Sequence, residues 1–120
     1  MATHNDLGTW GEQVATDYLQ RKGYVIMERD WKSGHRDIDI IAAKNETVVF
    51  VEVKTRRDRV FGAPEDAIDY MKLHHLRAAI NHYVKYKHIR QEIQFDAITI
   101  VGAPEDGEPE ITHIEDFPLY

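Results

Sequence analysis

The chain has no cysteine among its 120 residues. Disulfide bonds, thiolate nucleophiles and thiolate-bound zinc are therefore excluded, and any metal ion must be held by carboxylates or histidines. Long apolar runs are also missing, because no segment approaches the roughly 20 apolar residues of a membrane-spanning helix. The first residues, MATHNDLGTW, do not combine a basic region with an apolar run as a secretion signal would. These absences predict a cytoplasmic protein with no membrane partner.

Basic side chains are missing from the C-terminal part of the chain. Residues 102–120 contain no lysine or arginine, whereas residues 1–101 carry 15 basic and 15 acidic side chains. The formal net charge of −6 therefore arises from the C-terminal acidic residues, which are Glu105, Asp106, Glu108, Glu110, Glu115 and Asp116. An acidic protein is an unfavourable partner for phosphates, but this distribution leaves room for local basic patches on a neutral body. A solvated surface is the competing explanation for each basic cluster.

Hydrophobic residues make up 42% of the sequence, enough for one compact core, and we predict a single domain over residues 1–120. Apolar residues recur at helical spacing in two segments. In the first helix, of about four turns and capped by Gly23, the apolar stripe is Leu7, Trp10, Val14, Tyr18 and Leu19. The second helix is expected from Pro64 to about Lys87, with a stripe of Ile68, Met71, Leu76, Ile80, Tyr83 and Val84.

Strand-like segments occupy much of the remaining chain. YVIMERDW predicts a first strand that ends before a turn at Ser33 and Gly34. RDIDIIAA and TVVFVEV then predict an antiparallel hairpin that turns around residues 44–46. IQFDAITIV predicts a fourth strand, and EITHIE follows a turn-rich loop as a candidate edge strand. The order αβββαβ predicts an α/β fold with a central mixed sheet flanked by helices.

The segment VFVEVKTRR, residues 49–57, carries charges where a strand is expected to be buried. Side chains alternate between the two faces of a strand, and both faces of this strand begin apolar, which predicts a central position in the sheet. Glu52 and Lys54 lie further along, on the same face as Phe50. Because an unpaired ion is costly in such an enclosed position, both charges are expected to have partners.

The preceding strand offers partners for these charges. If the hairpin loop has an even number of residues, the register brings Asp39 opposite Glu52 and Asp37 opposite Lys54, with all four side chains on one face. Two adjacent carboxylates repel each other unless a cation lies between them, and a hard divalent ion such as Mg²⁺ takes oxygen ligands. Cross-strand ion pairs or solvated strand ends are the alternative explanation.

Several motifs in this order resemble the YraN-like uncharacterised protein family, relatives of the Holliday junction resolvases. They are GEQVATDYLQRKGY, GHRDIDIIA, FVEVKTR and a Pro-Glu-Asp-Ala helix that contains Lys72. The resemblance extends from about Leu7 to Val101 and is specific because it includes several motifs in sequence. It implies a restriction-endonuclease-like fold with the PD-(D/E)xK nuclease arrangement, Mg²⁺ or Mn²⁺ as cofactor, and DNA as partner.

The resemblance also implies roles for individual residues. Asp39 and Glu52 would be metal ligands, and Lys54 would orient the attacking water or stabilise the developing negative charge. Glu12, in the Gly-Glu pair of the first helix, matches an additional acidic residue of the resolvase-like members, although a solvated helix residue is the alternative. Asp37 stands where the family more often has glutamate, and no proline precedes Asp39. Phosphodiester hydrolysis requires these residue types, because carboxylates hold the metal and a cation offsets the developing charge.

Other polar residues are candidates for binding or structural roles. Arg56, Arg57, Arg59 and Lys72 are the candidates for binding nucleic acid through its phosphates, with solubility as the competing explanation. His74 and His75 are adjacent and point to different sides of a helix, which favours structural roles. Asp96 interrupts an apolar strand and matches an acidic position of the family, but strand-edge capping or an arginine partner explains it equally well.

The leading hypothesis is a metal-dependent nuclease that hydrolyses phosphodiester bonds in DNA, including branched or structured DNA. The first alternative is an accessory module that binds nucleic acid with little or no catalysis. The second is a protein-interaction domain that uses its acidic C-terminal segment. Because junction resolvases commonly act as symmetric dimers, the resemblance also implies a homodimer.

Overall fold

The structure, a computed structural model, describes residues 4–34, 36–58 and 70–119. Its elements are α1 (His4–Arg21), β1 (Val25–Ser33), β2 (Arg36–Lys44), β3 (Thr47–Arg56), α2 (Tyr70–Tyr86), β4 (Glu92–Val101), a 3₁₀ turn (Pro104–Asp106) and β5 (Glu110–Ile114). The predicted order αβββαβ and the edge strand are confirmed. Pro64, Ile68 and Arg59, to which the sequence assigned roles, lie outside the described residues. Within the described ranges, neither helix is long and apolar enough to cross a bilayer.

The five strands form one sheet in the order β1-β2-β3-β4-β5. β3 and β4 are parallel and the other neighbours are antiparallel, so the predicted mixed sheet is confirmed. Residues 48–53 of β3 are all buried, as expected for a central strand. Ser33, predicted to lie in a turn, is instead the last residue of β1 and pairs with Arg36, because two residues suffice to connect antiparallel strands.

Each face of the sheet packs against a helix. On one face, Ala15 and Leu19 of α1 share a buried cluster with Val49 and Val51 of β3. On the other face, α2 contributes to a cluster that includes Leu76, Ile80, Tyr83, Val48 and Phe50. Each of the larger apolar side chains contributes about 1.5–3 kcal/mol through burial. The charged half of β3 is therefore held on a rigid strand that helices cover on both sides.

The C-terminal end of α1 follows the capping pattern that the sequence predicts. Gly23 adopts a left-handed φ of 93°, a conformation in which glycine has no steric penalty. The Tyr24 backbone N–H donates to the Leu19 carbonyl at 3.0 Å, and the Gly23 N–H donates to the Gln20 carbonyl at 3.0 Å. These two bonds form a Schellman motif, which ends the helix and directs the chain into β1.

Gly11 brings α1 unusually close to β3. A Cβ atom built on Gly11 would overlap the Thr55 side chain, so only glycine allows the helix to lie at this distance. The next residue of α1 is Glu12. The close approach therefore places the Glu12 carboxyl group beside the charged end of β3.

Candidate metal centre and nucleic-acid interface

The hairpin between β2 and β3 turns over two residues, Asn45 and Glu46. Both have left-handed φ values, 53° and 63°, which are the values of the tight turns that suit the twist of antiparallel strands. Lys44 pairs with Thr47 across this turn. The predicted even loop is therefore confirmed, and the predicted register holds from Lys44 and Thr47 to Ile40 and Val51.

The ladder between β2 and β3 runs from this turn to the pair Ile40 and Val51. Asp39 and Glu52 are the next residues of the two strands, just beyond the last pair of this ladder. There the Asp39 side chain contacts the neighbouring strand directly, because its Oδ2 accepts a hydrogen bond from the Val53 backbone N–H at 2.8 Å. Asp39 is 8% exposed and Glu52 is 4% exposed, so two carboxyl groups are buried at this end of the ladder, and the charge of Glu52 acts on Asp39.

Burial changes the protonation of Asp39. Loss of solvent raises the pKa of this carboxyl group to about 8, and the negative charge of Glu52 adds to the increase. The Val53 N–H and the Lys72 ammonium oppose the increase in pKa without cancelling it. Two neighbouring acids in a poorly solvated position are thus destabilised as anions unless a positive charge joins them.

Glu52 has one oxygen with a partner and one without. Its Oε1 forms an ion pair with the Lys72 Nζ at 2.5 Å, whereas its Oε2 is buried and has no hydrogen-bond partner among the described residues. Burial raises the pKa of Glu52, and Lys72 and Lys54 act in the opposite direction. A buried carboxylate oxygen without a partner is costly, and a bound cation would satisfy it.

Glu12 of α1 lies close to Asp39. It is half-buried, and burial together with a hydrogen bond to Asp30 raises its pKa to about 7. Oxygen atoms of Glu12, Asp30 and Asp39 lie within 4.8 Å of one another. The structure therefore brings the predicted Glu12 into contact with the strand acids.

Asp30 is a member of this acidic group that the sequence analysis missed. It adopts a left-handed φ of 50° within β1, a conformation that aspartate tolerates better than most residues. The signal that could have identified it is the register of the first two strands. Arg29 pairs with Ile40 and Trp31 pairs with Ile38, so Asp30 and Asp39 occupy the intervening positions of the two strands.

The other charges predicted for this site lie at its border. Lys54 is half-buried and lines a pocket of about 140 Å³ that Glu12 and Lys72 also line. Asp37 is partly exposed and forms an ion pair with Lys32 of β1, at 3.6 Å between Nζ and Oδ2. Lys54 therefore shares a pocket with Glu12 and Lys72, whereas Asp37 has a partner on the opposite neighbouring strand.

The predicted nucleic-acid-binding residues within the described ranges have different partners. Arg57 contacts the acidic C-terminal segment through an ion pair with Glu105 at 2.5 Å. Next to it, the Arg56 carbonyl accepts a hydrogen bond from the Gly102 N–H at 2.9 Å. Lys72 reaches the buried acids, as described above. Arg57 and Lys72 thus have acidic partners in the same chain, and the Arg56 backbone is hydrogen-bonded to Gly102.

His74, His75 and Asp96 lie in other surroundings. His74 and His75 are exposed on α2, and the Arg77 guanidinium donates to His74 Nδ1 at 3.2 Å. Asp96 is fully buried and accepts hydrogen bonds from three groups: His113 Nε2 at 2.7 Å, Gln94 Nε2 at 2.9 Å and the Asp116 N–H at 3.0 Å. Burial alone would raise its pKa, but these bonds hold the pKa below its ordinary value. Its main partner is a histidine and not the arginine that we considered from sequence.

The donor set of the central group suits a hard divalent cation. Asp39 and Glu52 offer only carboxylate oxygens, they are buried, and Glu52 Oε2 has no other partner in the described part of the chain. Mg²⁺ and Mn²⁺ favour such ligands and retain water in their remaining positions. The positive charges of Lys72 and Lys54 act on Glu52 in this group.

Comparisons with known proteins place this chain among a large set of relatives. The model of the uncharacterised protein family UPF0102 matches residues 11–100. A UPF0102 protein of Bacteroides fragilis is 44% identical over 116 residues, which cover 97% of this chain and 94% of the relative. A UPF0102 protein of Flavobacterium psychrophilum is 44% identical over 116 residues, covering 97% and 96%. A third, from Syntrophomonas wolfei, is 41% identical over 112 residues, covering 92% and 96%.

Proposed function

This chain belongs to the uncharacterised protein family UPF0102, and we propose that it is a metal-dependent nuclease that hydrolyses phosphodiester bonds in DNA. One observation carries the proposal. Asp39 and Glu52 are buried together where the β2–β3 ladder ends, and Glu52 Oε2 has no hydrogen-bond partner among the described residues. A protein that used these acids only for structure would leave a costly oxygen unsatisfied.

Asp39 and Glu52 are the residues that would hold the metal ion, and Glu12 with Asp30 could add oxygen ligands. When bound, a divalent cation activates a phosphate ester as a Lewis acid and lowers the pKa of a water molecule. The Val53 N–H fixes the orientation of Asp39, so this ligand is arranged before the metal binds.

Lys54 has a separate task in the proposed reaction. Lys54 is a half-buried residue whose charge acts on Glu52, in a place where water screens charge less effectively than in bulk solution. We propose that it stabilises the negative charge that develops on the phosphate during hydrolysis. Arg56 is proposed to contact phosphates at the end of β3, and Arg57 to do so after leaving Glu105. Arg59, which lies outside the described residues, is a further candidate for phosphate binding.

The proposal is tested by incubating the purified protein with linear, flapped and four-way DNA in the presence of Mg²⁺, Mn²⁺ or EDTA. We expect cleavage of at least one substrate with a divalent ion and none with EDTA. Asp39→Ala and Glu52→Ala should each reduce the rate by about 100-fold or more, since even changes to residues that only support metal ligands cost 10–100-fold. Lys85→Gln, on an exposed part of α2, is the matched control and should cleave normally.

Two results would contradict the proposal. In the first, no substrate is cleaved and no divalent ion is bound, although circular dichroism shows a folded protein. In the second, DNA binding depends on salt but is unchanged by EDTA and by Glu52→Ala, which is the behaviour of a nucleic-acid-binding module without catalysis.

A further inference from the structure

Lys72 reaches from the exposed side of α2 to the most deeply buried acid of the candidate site. Its side chain is 48% exposed, yet its Nζ lies 2.5 Å from Oε1 of Glu52, whose side chain is only 5% exposed. We infer that Lys72 is a built-in counter-ion that competes with the divalent metal for Glu52 and is released from it when the metal binds. This inference rests on the proposed metal site, and it concerns the regulation of that site.

The surroundings of Glu52 make Lys72 its principal counter-ion. Among the charges that act on Glu52, Lys72 has a stronger effect than Lys54, and it alone also forms a hydrogen bond with the carboxylate in the described residues. Lys72 thus places a positive charge directly on one oxygen of the buried carboxylate. It supplies part of the charge that a metal ion would supply.

A metal ion that binds Glu52 must overcome repulsion by the positive charge of Lys72. The ammonium group occupies one oxygen of Glu52 and repels any divalent ion that approaches the other. Lys72 can also leave Glu52 readily, because its long flexible side chain is half-exposed and its ammonium group can rotate toward the solvent. Binding of the metal therefore includes the cost of removing Lys72, and the apparent affinity is lower than the acids alone would give.

Release of Lys72 has a consequence for the substrate. Lys72 lines the same pocket as Lys54 and Glu12, so an ammonium group that leaves Glu52 stays within reach of this pocket. After the exchange, two ammonium groups are available there for a phosphate group, whereas before it one is bound to Glu52. The exchange thus couples binding of the metal to preparation of the phosphate site.

Isothermal titration calorimetry with Mn²⁺ alone, without DNA, tests the competition. We expect Lys72→Gln to bind Mn²⁺ about tenfold or more tightly than the wild type, because the repelling charge is gone. Lys72→Arg keeps the charge and should bind like the wild type. Lys85→Gln, an exposed lysine further along the same helix, should leave the affinity unchanged.

A measurement on the unmodified chain covers the case in which Lys72→Gln does not fold. Acetylation of lysines by an amine-reactive ester is followed by mass spectrometry with and without saturating Mn²⁺. Lys72 should react at least about threefold faster with Mn²⁺, since a released amine loses its ion pair, while Lys85 serves as the internal reference.

The outcomes separate this inference from the proposed function. If the wild type binds Mn²⁺ and Lys72→Gln binds it with equal or lower affinity, the counter-ion inference is wrong and the metal site stands. An unchanged acetylation rate of Lys72 on Mn²⁺ binding would likewise overturn it. If neither the wild type nor Lys72→Gln binds Mn²⁺, both the inference and the proposed metal site are wrong.

Discussion

At the scale of single residues, the buried acids stabilise the folded chain less than neutral side chains would. The pKa of Asp39 is about 8 in the folded chain, far above its ordinary value of 3.8. A folded pKa above the unfolded one means that the folded state holds its proton more tightly. The stabilisation that the protonated Asp39 gives to the folded state is complete below about pH 4 and is lost as the pH rises to about 8. Such a cost is typical of functional sites, where stability is exchanged for reactivity.

Asp39→Asn should therefore stabilise the metal-free protein at high pH. In EDTA, we expect the free energy of unfolding to rise by about 1–4 kcal/mol at pH 9, with little change at pH 4.5, because only the charged form of Asp39 is penalised. Urea denaturation at both pH values measures the effect. Asp37→Asn, at a partly exposed acid paired with Lys32, is the control and should change the free energy of unfolding at pH 9 by less than about 1 kcal/mol. Equal effects of Asp39→Asn at the two pH values would contradict the explanation.

At the scale of elements, the position of α1 depends on its close contact with β3. Gly11→Ala would introduce a Cβ atom that overlaps the Thr55 side chain, so the helix must move or the side chain must rearrange. We expect a loss of about 1–3 kcal/mol in the free energy of unfolding, as is usual for overpacking. Gly8→Ala, in the same helix with no atom nearby, is the matched control and should be neutral or stabilising by up to about 1 kcal/mol.

Thermal or urea denaturation distinguishes the two glycine variants. If Gly11→Ala is as stable as Gly8→Ala, the contact between α1 and β3 is not as close as described. If Gly11→Ala is destabilised as expected, a change in Mn²⁺ affinity would further indicate that Glu12, the next residue, has been displaced from the acidic group.

The elements also show why part of the site could be predicted from sequence. The β2–β3 hairpin is local: a two-residue turn and two apolar strands fix its register as far as Ile40 and Val51, and Asp39 and Glu52 directly follow this pair along the two strands. The resemblance to the YraN-like family is confirmed by the UPF0102 match over residues 11–100. The ion pair between Lys72 and Glu52 could not be predicted, because it depends on how a distant helix packs across the sheet. Asp30 could not be identified as a member of the site without the β1–β2 register and its left-handed backbone conformation, which the sequence does not specify.

At the scale of the whole molecule, Asp96 joins parts of the chain that are distant in sequence. Its carboxylate binds His113 of β5 and the Asp116 backbone, and His113 Nδ1 contacts the Tyr18 hydroxyl of α1 at 3.0 Å. The lowered pKa of Asp96 means that its stabilising contribution is present above its ordinary pKa and is lost as the pH falls further. The acidic C-terminal segment is thereby fixed to the central sheet.

His113→Ala should weaken this connection without abolishing the metal site. Removing a donor from a buried carboxylate is expected to cost about 1–3 kcal/mol in the free energy of unfolding, measured by urea denaturation at pH 7. His75→Ala, at an exposed position on α2, should change stability by less than about 0.5 kcal/mol. A His113→Ala variant as stable as His75→Ala would show that Asp96 does not depend on this partner.

We propose that Asp39 and Glu52 together hold a divalent cation. This is tested with crystals soaked in Mn²⁺ and measured at a wavelength with strong manganese anomalous scattering. We expect an anomalous peak at about 2.1–2.3 Å from carboxylate oxygens of both residues, with Lys72 turned away from Glu52. Well-ordered density in which both carboxyl groups lack a peak and Lys72 still contacts Glu52 would contradict it.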